Sequence, residues 1–329
     1  MKKNTKELVI LLAGILALVV GVLIAVIKGS MDIGFNDIVN ALFRYSGSLE
    51  DMLIRDVRLP RAIAAVMVGG SLGLAGSLMQ GVTRNPIAEP SLLGISQGAT
   101  LVVAIFYALG KSTTLIGTLG ASLVGALVTG LVVIIFALYN PSNMSVSRLL
   151  LAGTALSTFL ISITNIIGLL SNQSQMIGFW IAGGFRNATW SEATLAMVVG
   201  IIALMIAILF SPKINIVSLG DDVAIGLGAD PKKVRFSTLL LMIPLCAMTA
   251  AVGRTIGFVG LIVPQIVRLT TGEDYRKIIP YSFLLGSVLV VFSDILARTL
   301  YDPYEIPVGI FTSLLGVPFF LYMAGRSKG

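Results

Sequence analysis

At 329 residues, with 56% hydrophobic and 12% charged residues and a mean hydropathy of +0.96, the chain lies outside the composition of soluble globular domains. Histidine is absent and the one cysteine, Cys246, stands in an apolar run. That removes the commonest general base, an internal disulfide, and a metal site built on histidine or cysteine.

The chain begins with a short basic stretch, Met1 to Glu7, followed by an apolar run from Leu8 to Ile27. About 20 apolar residues suffice to cross the hydrocarbon core. The run is longer than a signal-peptide core and ends Ile27-Lys28-Gly29-Ser30 with no small-x-small cleavage pattern, so it reads as a retained first helix. Residues 28–61 form the longest mostly polar segment, and a second span is predicted over 62–82. In it Gly69, Gly73, Ser77 and Gly81 recur every four residues, a smooth stripe suited to close helix packing, with a pathway lining as the alternative.

Third and fourth spans are predicted over 91–109 and 115–139. Between them Gly110-Lys111-Ser112-Thr113 imitates the end of a phosphate-binding loop. The glycine required five residues earlier is Ile105, and no strand precedes it. ATP binding at this loop is therefore excluded, and any ATP hydrolysis must come from a partner. Further spans follow over 148–170, 193–211, 236–252, 256–268, 278–296 and 306–324. The one over 256–268 is too short to cross unaided and is expected to be a half-helix inside the bundle, where irregular backbone finds partners other than lipid.

Ten spans put both termini on one side. If that side is the cytoplasm, it carries 14 of the 23 Lys and Arg with 7 acidic residues, against 9 bases and 9 acids outside. The positive-inside bias sets the orientation, and it also accounts for the net charge of +7 without nucleic acid. No ionisable residue is placed at mid-membrane. Arg148, Glu192, Asp294 and Arg298 fall near span ends, and the deepest polar residues are the neutral Gln80, Ser162 and Asn165, taken as pathway candidates. This argues against an ion-coupled carrier.

Two clusters face water. The cytoplasmic loop 212–235 contains Leu219, Gly220, Asp221, Asp222, Val223, Ala224, Ile225, Gly226, Leu227 and Gly228, then Asp230-Pro231. Asp221 or Asp222 can cap a short apolar helix, and Asp230 and Pro231 suit the N-cap and first position of the next helix. An apolar helix outside the membrane wants a groove on another protein. On the other side Arg58 and Arg61 flank Pro60, and Arg298 ends the ninth span; these suit either carboxylates of a docking protein or headgroup anchoring.

Arg58-Leu-Pro-Arg61, Asn85-Pro-Ile-Ala-Glu-Pro90, Leu93-Gly-Ile-Ser96, Ser147-Arg-Leu-Leu-Leu-Ala-Gly153, Trp180-Ile-Ala-Gly-Gly184, Gly257-Phe-Val-Gly-Leu-Ile-Val-Pro264 and Glu305-Ile-Pro-Val-Gly309 together resemble the permeases of iron-siderophore, haem and cobalamin importers. The resemblance runs in order from about residue 55 to 322. It implies a type II ATP-binding-cassette importer: an all-α membrane protein, residues 1–329 forming one permease domain of about ten helices with cytoplasmic termini, in a bacterial cell membrane. It also implies a second permease subunit, identical or related, two ATPase subunits that hold ATP and Mg, and an extracytoplasmic binding protein. This chain itself would bind no cofactor or metal and would not be an enzyme. By the same resemblance Arg58, Arg61 and Arg298 dock the binding protein, the loop from Leu219 to Gly228 couples to the ATPase, and Asn85, Ile87, Val146 and Ser147 form cytoplasmic gates. Ferric siderophore is the expected cargo, with haem or cobalamin as alternatives. Gln265 and Tyr275 stand where many relatives have histidine.

Overall fold

A computed structural model describes residues 3–29, 31, 33–110, 115–139, 146–301 and 304–326. Helix α1 is Lys3–Ile27 and α2 is Phe35–Phe43. Next, α3, Leu49–Met52, runs through a π-type turn, Leu53–Arg58, straight into α4, Leu59–Thr83. A 3₁₀ turn, Pro90–Leu93, leads to α5, Ile95–Ala108, followed by α6, Leu115–Tyr139, α7, Val146–Leu170, and α8, Ser174–Ile181. The remainder is α9, Trp190–Ser218, α10, Asp221–Gly226, α11, Pro231–Gly253, α12, Val259–Thr271, α13, Tyr275–Thr299, and α14, Val308–Arg326.

The ten predicted spans correspond to α1, α4, α5, α6, α7, α9, α11, α12, α13 and α14. Among the described residues six stretches are long and apolar enough to cross a membrane alone, and Ile95–Ala108, Gly117–Val133, Val259–Thr271 and Val308–Met323 are shorter apolar helices. The expected half-helix is α12, whose 13 residues rise about 20 Å against a core of about 30 Å. Helix α5, with 14 residues, is a second half-helix that hydropathy merged into a longer run.

Boundaries on the cytoplasmic side also moved. The sixth span was predicted to stop at 211, yet α9 continues to Ser218 through Pro212. Pro212 has no N–H to give the carbonyl four residues back. Ser211 Oγ donates to that carbonyl, Ile208 O, at 2.7 Å, so the helix survives the proline. Asp230 caps α11 as predicted, its Oδ1 accepting from the backbone N–H groups of Lys232 and Lys233 with Pro231 in the first turn.

Buried on nearly every side, α4 is the central post. A Cβ on Gly69 would lie 2.4 Å from Gly286 O, one on Gly73 2.2 Å from Ser282 O, and one on Gly76 2.0 Å from Gly260 O. The glycine stripe is therefore a packing surface, where backbones of α13 and α12 touch α4 directly. Gly81 packs similarly against Ile214 and Tyr275.

Polar contacts gather at the two ends of the bundle. At the cytoplasmic end Lys277 pairs with Glu7 at 2.7 Å, and Asn215 Nδ2 donates to Asp274 Oδ1 at 2.7 Å. At the opposite end Arg58 donates to Val26 O and Ile27 O, and Trp190 Nε1 donates to Arg55 O.

Candidate functional site

At the outer end the three singled-out arginines lie close together but are not free surface charges. Arg58, Arg61 and Arg298 are 4%, 6% and 9% exposed. Arg58 reaches the carbonyls of Val26, Ile27 and Met31, clamping the end of α1. Arg61 meets Asp294 with Nε and Nη2 and Glu305 with Nη1 and Nη2, its closest distances being 2.8 Å to each. Arg298 donates to Ala25 O and lies 3.8 Å from Asp294. A role in docking another protein thus requires exchange of acceptors already in place.

Beneath this rim is a cavity of about 850 Å³ bounded by Arg61, Tyr107, Trp180, Arg186, Arg254 and Glu305 among others. Arg254 stands in the turn between α11 and α12 with φ +61° and ψ −126°, a region that L-residues rarely occupy. Its guanidinium lies 4.9 Å from the Trp180 ring centroid, and Nη1 donates to Gly184 O at 2.9 Å. Burial pushes the guanidinium pKa down while the Glu192 carboxylate pulls it back. Hydropathy gave no hint of this residue; its position between two spans was the only signal.

In the middle of the bundle the segment between α4 and α5 re-enters the membrane. A Cβ on Gly260 would lie 3.1 Å from both Leu72 O and Pro90 Cδ, so Pro90 stands beside the centre of α4. Glu89 Oε1 accepts from Phe258 N–H at 2.7 Å, at the positive N-terminal end of α12. The expectation of no ionisable group at depth is corrected here. Sequence spacing placed Glu89 in an inner loop, but that loop folds inward to the broken end of α12. The carboxylate compensates a helix terminus that lipid could not satisfy.

Gln80 is buried, its Nε2 donating to Gly260 O and Leu261 O, while its Oε1 accepts from Gln265 Nε2 at 2.8 Å. Gln265 also donates to Pro86 O at 2.8 Å. Two amides therefore tie α4, α12 and the re-entrant segment together. They border a second cavity, of about 840 Å³, at the cytoplasmic end.

Asn85 Oδ1 accepts from Ile87 N–H, closing a tight turn at the start of the re-entrant segment, and Ile87 is exposed. Val146 and Ser147 open α7, but their side chains lie outside the described residues, as do Lys111 to Thr113. On α7 the residues Thr154, Thr158, Ser162 and Asn165 are exposed and share one helical face.

The cytoplasmic loop is built around Asp221. Gly220, at φ +124°, is the N-cap of α10, and neither Asp221 nor Asp222 caps it. Asp221 instead accepts from Arg235 at 2.6 and 3.0 Å and from Arg84 at 3.0 Å. Ala224 is buried against Val217 and Val234. Leu219, Val223, Ile225 and Leu227 remain exposed, and Gly226 and Gly228 complete the turn out of the helix. The apolar face is thus turned to water while the acidic root is fastened to α4 and α11.

A ten-helix bundle with two half-helices, a re-entrant segment and apolar and basic clusters at opposite ends defines a multi-pass membrane permease. Residues 17–326 match the FecCD transport family, and the chain belongs to it: it is the membrane component of an ATP-binding-cassette importer. It is 38% identical over 321 residues to the iron(3+)-hydroxamate import system permease protein FhuB of Bacillus subtilis, covering 97% of this chain and 84% of that one. It is 34% identical over 331 residues to the Fe(3+)-citrate import system permease protein YfmD of the same organism, covering 99% and 97%. A solved metal-chelate type ABC transporter in an inward-facing conformation superposes with a TM-score of 0.84 at 27% identity, covering 96% of this chain and 99% of that one.

Proposed function

We propose that this chain is the permease subunit of a ferric-siderophore importer, working as a pair of permeases with two ATPase subunits and an extracytoplasmic binding protein in a bacterial cell membrane. The observation that carries this is the Asp221 junction. The exposed apolar face of α10 suits a groove on an ATPase. Its root is bonded to Arg84, the residue directly before Asn85 and Ile87. A push on α10 reaches the gate segment through the Arg84–Asp221 pair and through Arg235, which pairs with Asp221 and donates to Val82 O at 3.1 Å. ATP and loaded receptor must then favour different states of this link, or no solute moves.

The exposed polar stripe on α7 supports a second permease subunit. Asn165 has no hydrogen-bond partner among the described residues, and a bare amide facing lipid is unfavourable. A water-filled pathway between two α7 helices accommodates it, with Ser162 and Asn165 as lining. The rim around Arg58, Arg61 and Arg298 is the docking surface for the binding protein, reached by exchange of acceptors. Iron cargo is supported by the hydroxamate and citrate systems named among the relatives; haem and cobalamin are the alternatives in the same family.

Ile225→Asp is expected to lower recovery of ATPase subunits with the purified permease. The Asp221 carboxylate that Arg84 and Arg235 share is 40% exposed and such solvated pairs are worth only about 0–1 kcal/mol each to folding, so Asp221→Asn should fold and retain the ATPase yet transport poorly per ATP hydrolysed. Unchanged ATPase recovery and uptake in both variants overturn the assignment. Uptake driven by an ion gradient without nucleotide would return the chain to the ion-coupled class.

A further inference from the structure

Among the residues lining the outer cavity, three arginines, Arg61, Arg186 and Arg254, face one carboxylate, Glu305. Arg61 is neutralised by Asp294 and Glu305. Arg186 is exposed and forms no ion pair among the described residues. Among the described residues Arg254 has no carboxylate within ion-pair distance, Glu192 acting on it only through space. One of its N–H groups is donated to the protein, to Gly184 O, and its Nε has no hydrogen-bond partner among the described residues. The cavity therefore carries an uncompensated positive field on one wall.

Arg254 is also held in a costly way. A backbone at φ +61° and ψ −126° suits glycine and is strained for any other residue. The turn is clamped on either side: a Cβ on Gly183 would lie 2.6 Å from Thr255 O and one on Gly309 3.3 Å from it. The indole of Trp180, 7% exposed, packs against the guanidinium with its ring centroid 4.9 Å from Cζ. A planar fork with spare donors, stacked on an aromatic ring and facing a cavity of about 850 Å³, matches the oxygen-rich edge of a chelate. Cavities of about 300–1,000 Å³ hold compact ligands.

We propose that this outer cavity is a binding station for metal chelates carrying negative charge, with Arg254, stacked on Trp180, as the residue that selects peripheral carboxylate or catecholate oxygens over neutral ligands. The proposal rests on the importer reading and names the chemistry of its cargo.

Trp180 and Trp190 are the two tryptophans, so Trp190→Phe leaves Trp180, on the cavity wall, as the sole tryptophan to be excited selectively. Purified full-length chain carrying that change, in lipid nanodiscs, is titrated with ferric citrate and with a neutral ferric trihydroxamate, quenching being corrected with free indole. Ferric citrate should quench saturably and more tightly than the neutral chelate, and raised ionic strength should weaken it. Arg254→Gly suits the backbone and so should fold; it should weaken ferric citrate about tenfold, as loss of one charge-assisted contact predicts. Arg254→Lys should retain part of the affinity.

Equal affinity for the two chelates, a salt-independent titration, or an Arg254→Gly titration matching its parent overturns the proposal. Reconstituted transporter separates the two levels. Uptake of ferric chelate that is indifferent to Arg254 removes the station and leaves the importer reading standing, whereas no uptake of any ferric chelate removes both.

Discussion

Replacing Asp294 with alanine should destabilise the bundle by about 3 kcal/mol, the low end of the range for orphaning a buried charge. Asp294 is 1% exposed, accepts three hydrogen bonds from Arg61 and lies 3.8 Å from Arg298 Nε. Without it Arg298 keeps only the carbonyl of Ala25, while Arg61 still has Glu305 at 2.8 Å. That remaining partner is the reason for the low end of the range. At about 2–4 °C per kcal/mol for a chain of this order of size, the melting temperature should fall by about 6–12 °C, read from tryptophan fluorescence in nanodiscs. Adding Arg61→Met to Asp294→Ala removes one of the two stranded cations and should recover part of the loss. A single variant within about 1 kcal/mol of the parent, or a double variant whose losses simply add, would refute the view that this cluster is a desolvated charge network.

Gly76→Val should prevent folding, because its Cβ would meet the Gly260 backbone at 2.0 Å and two helices held elsewhere cannot separate. Gly120→Ala on α6, with nothing within 4 Å, is the control and should be neutral or stabilising by up to about 1 kcal/mol; normal yield and melting for both would count against the α4–α12 contact. Burial tends to raise the Asp274 carboxyl, but the Asn215 amide and the Arg276 N–H outweigh it and hold the pKa below the usual range. Its stabilisation is therefore full above the unfolded carboxyl pKa of about 4 and is lost as pH falls through the lower folded value. Asp274→Asn should flatten the acid limb of a thermal-shift pH profile, and an identical limb in both proteins would contradict the assignment.

The ten spans and the Asp230 cap were legible in the sequence because each rests on local chemistry: apolar length, and a short side chain reaching its own backbone. The short span over 256–268 also announced itself, since a helix too short for the membrane must end inside it. What sequence could not assign was where each polar side chain finds its partner. Arg58, Arg61 and Arg298 looked like surface charges, yet their partners come from Val26, Asp294, Glu305 and Ala25, most of them more than 200 positions away. Asp221 looked like a helix cap and proved to be the acceptor for Arg84 and Arg235.

Glu89 makes the division plain. Its place six residues past the end of α4 assigned it to a cytoplasmic loop. Only the inward fold of that loop brought the carboxylate to Phe258 N–H, 169 positions away. Hydropathy records how much apolar chain is available to cross the membrane, and so it determined that this protein lives in lipid. It carries no record of which helices are broken or which backbones touch. Those follow from close packing along Gly69, Gly73 and Gly76, which lets α12 and α13 approach the central post and leaves half-helix ends that buried charges must satisfy.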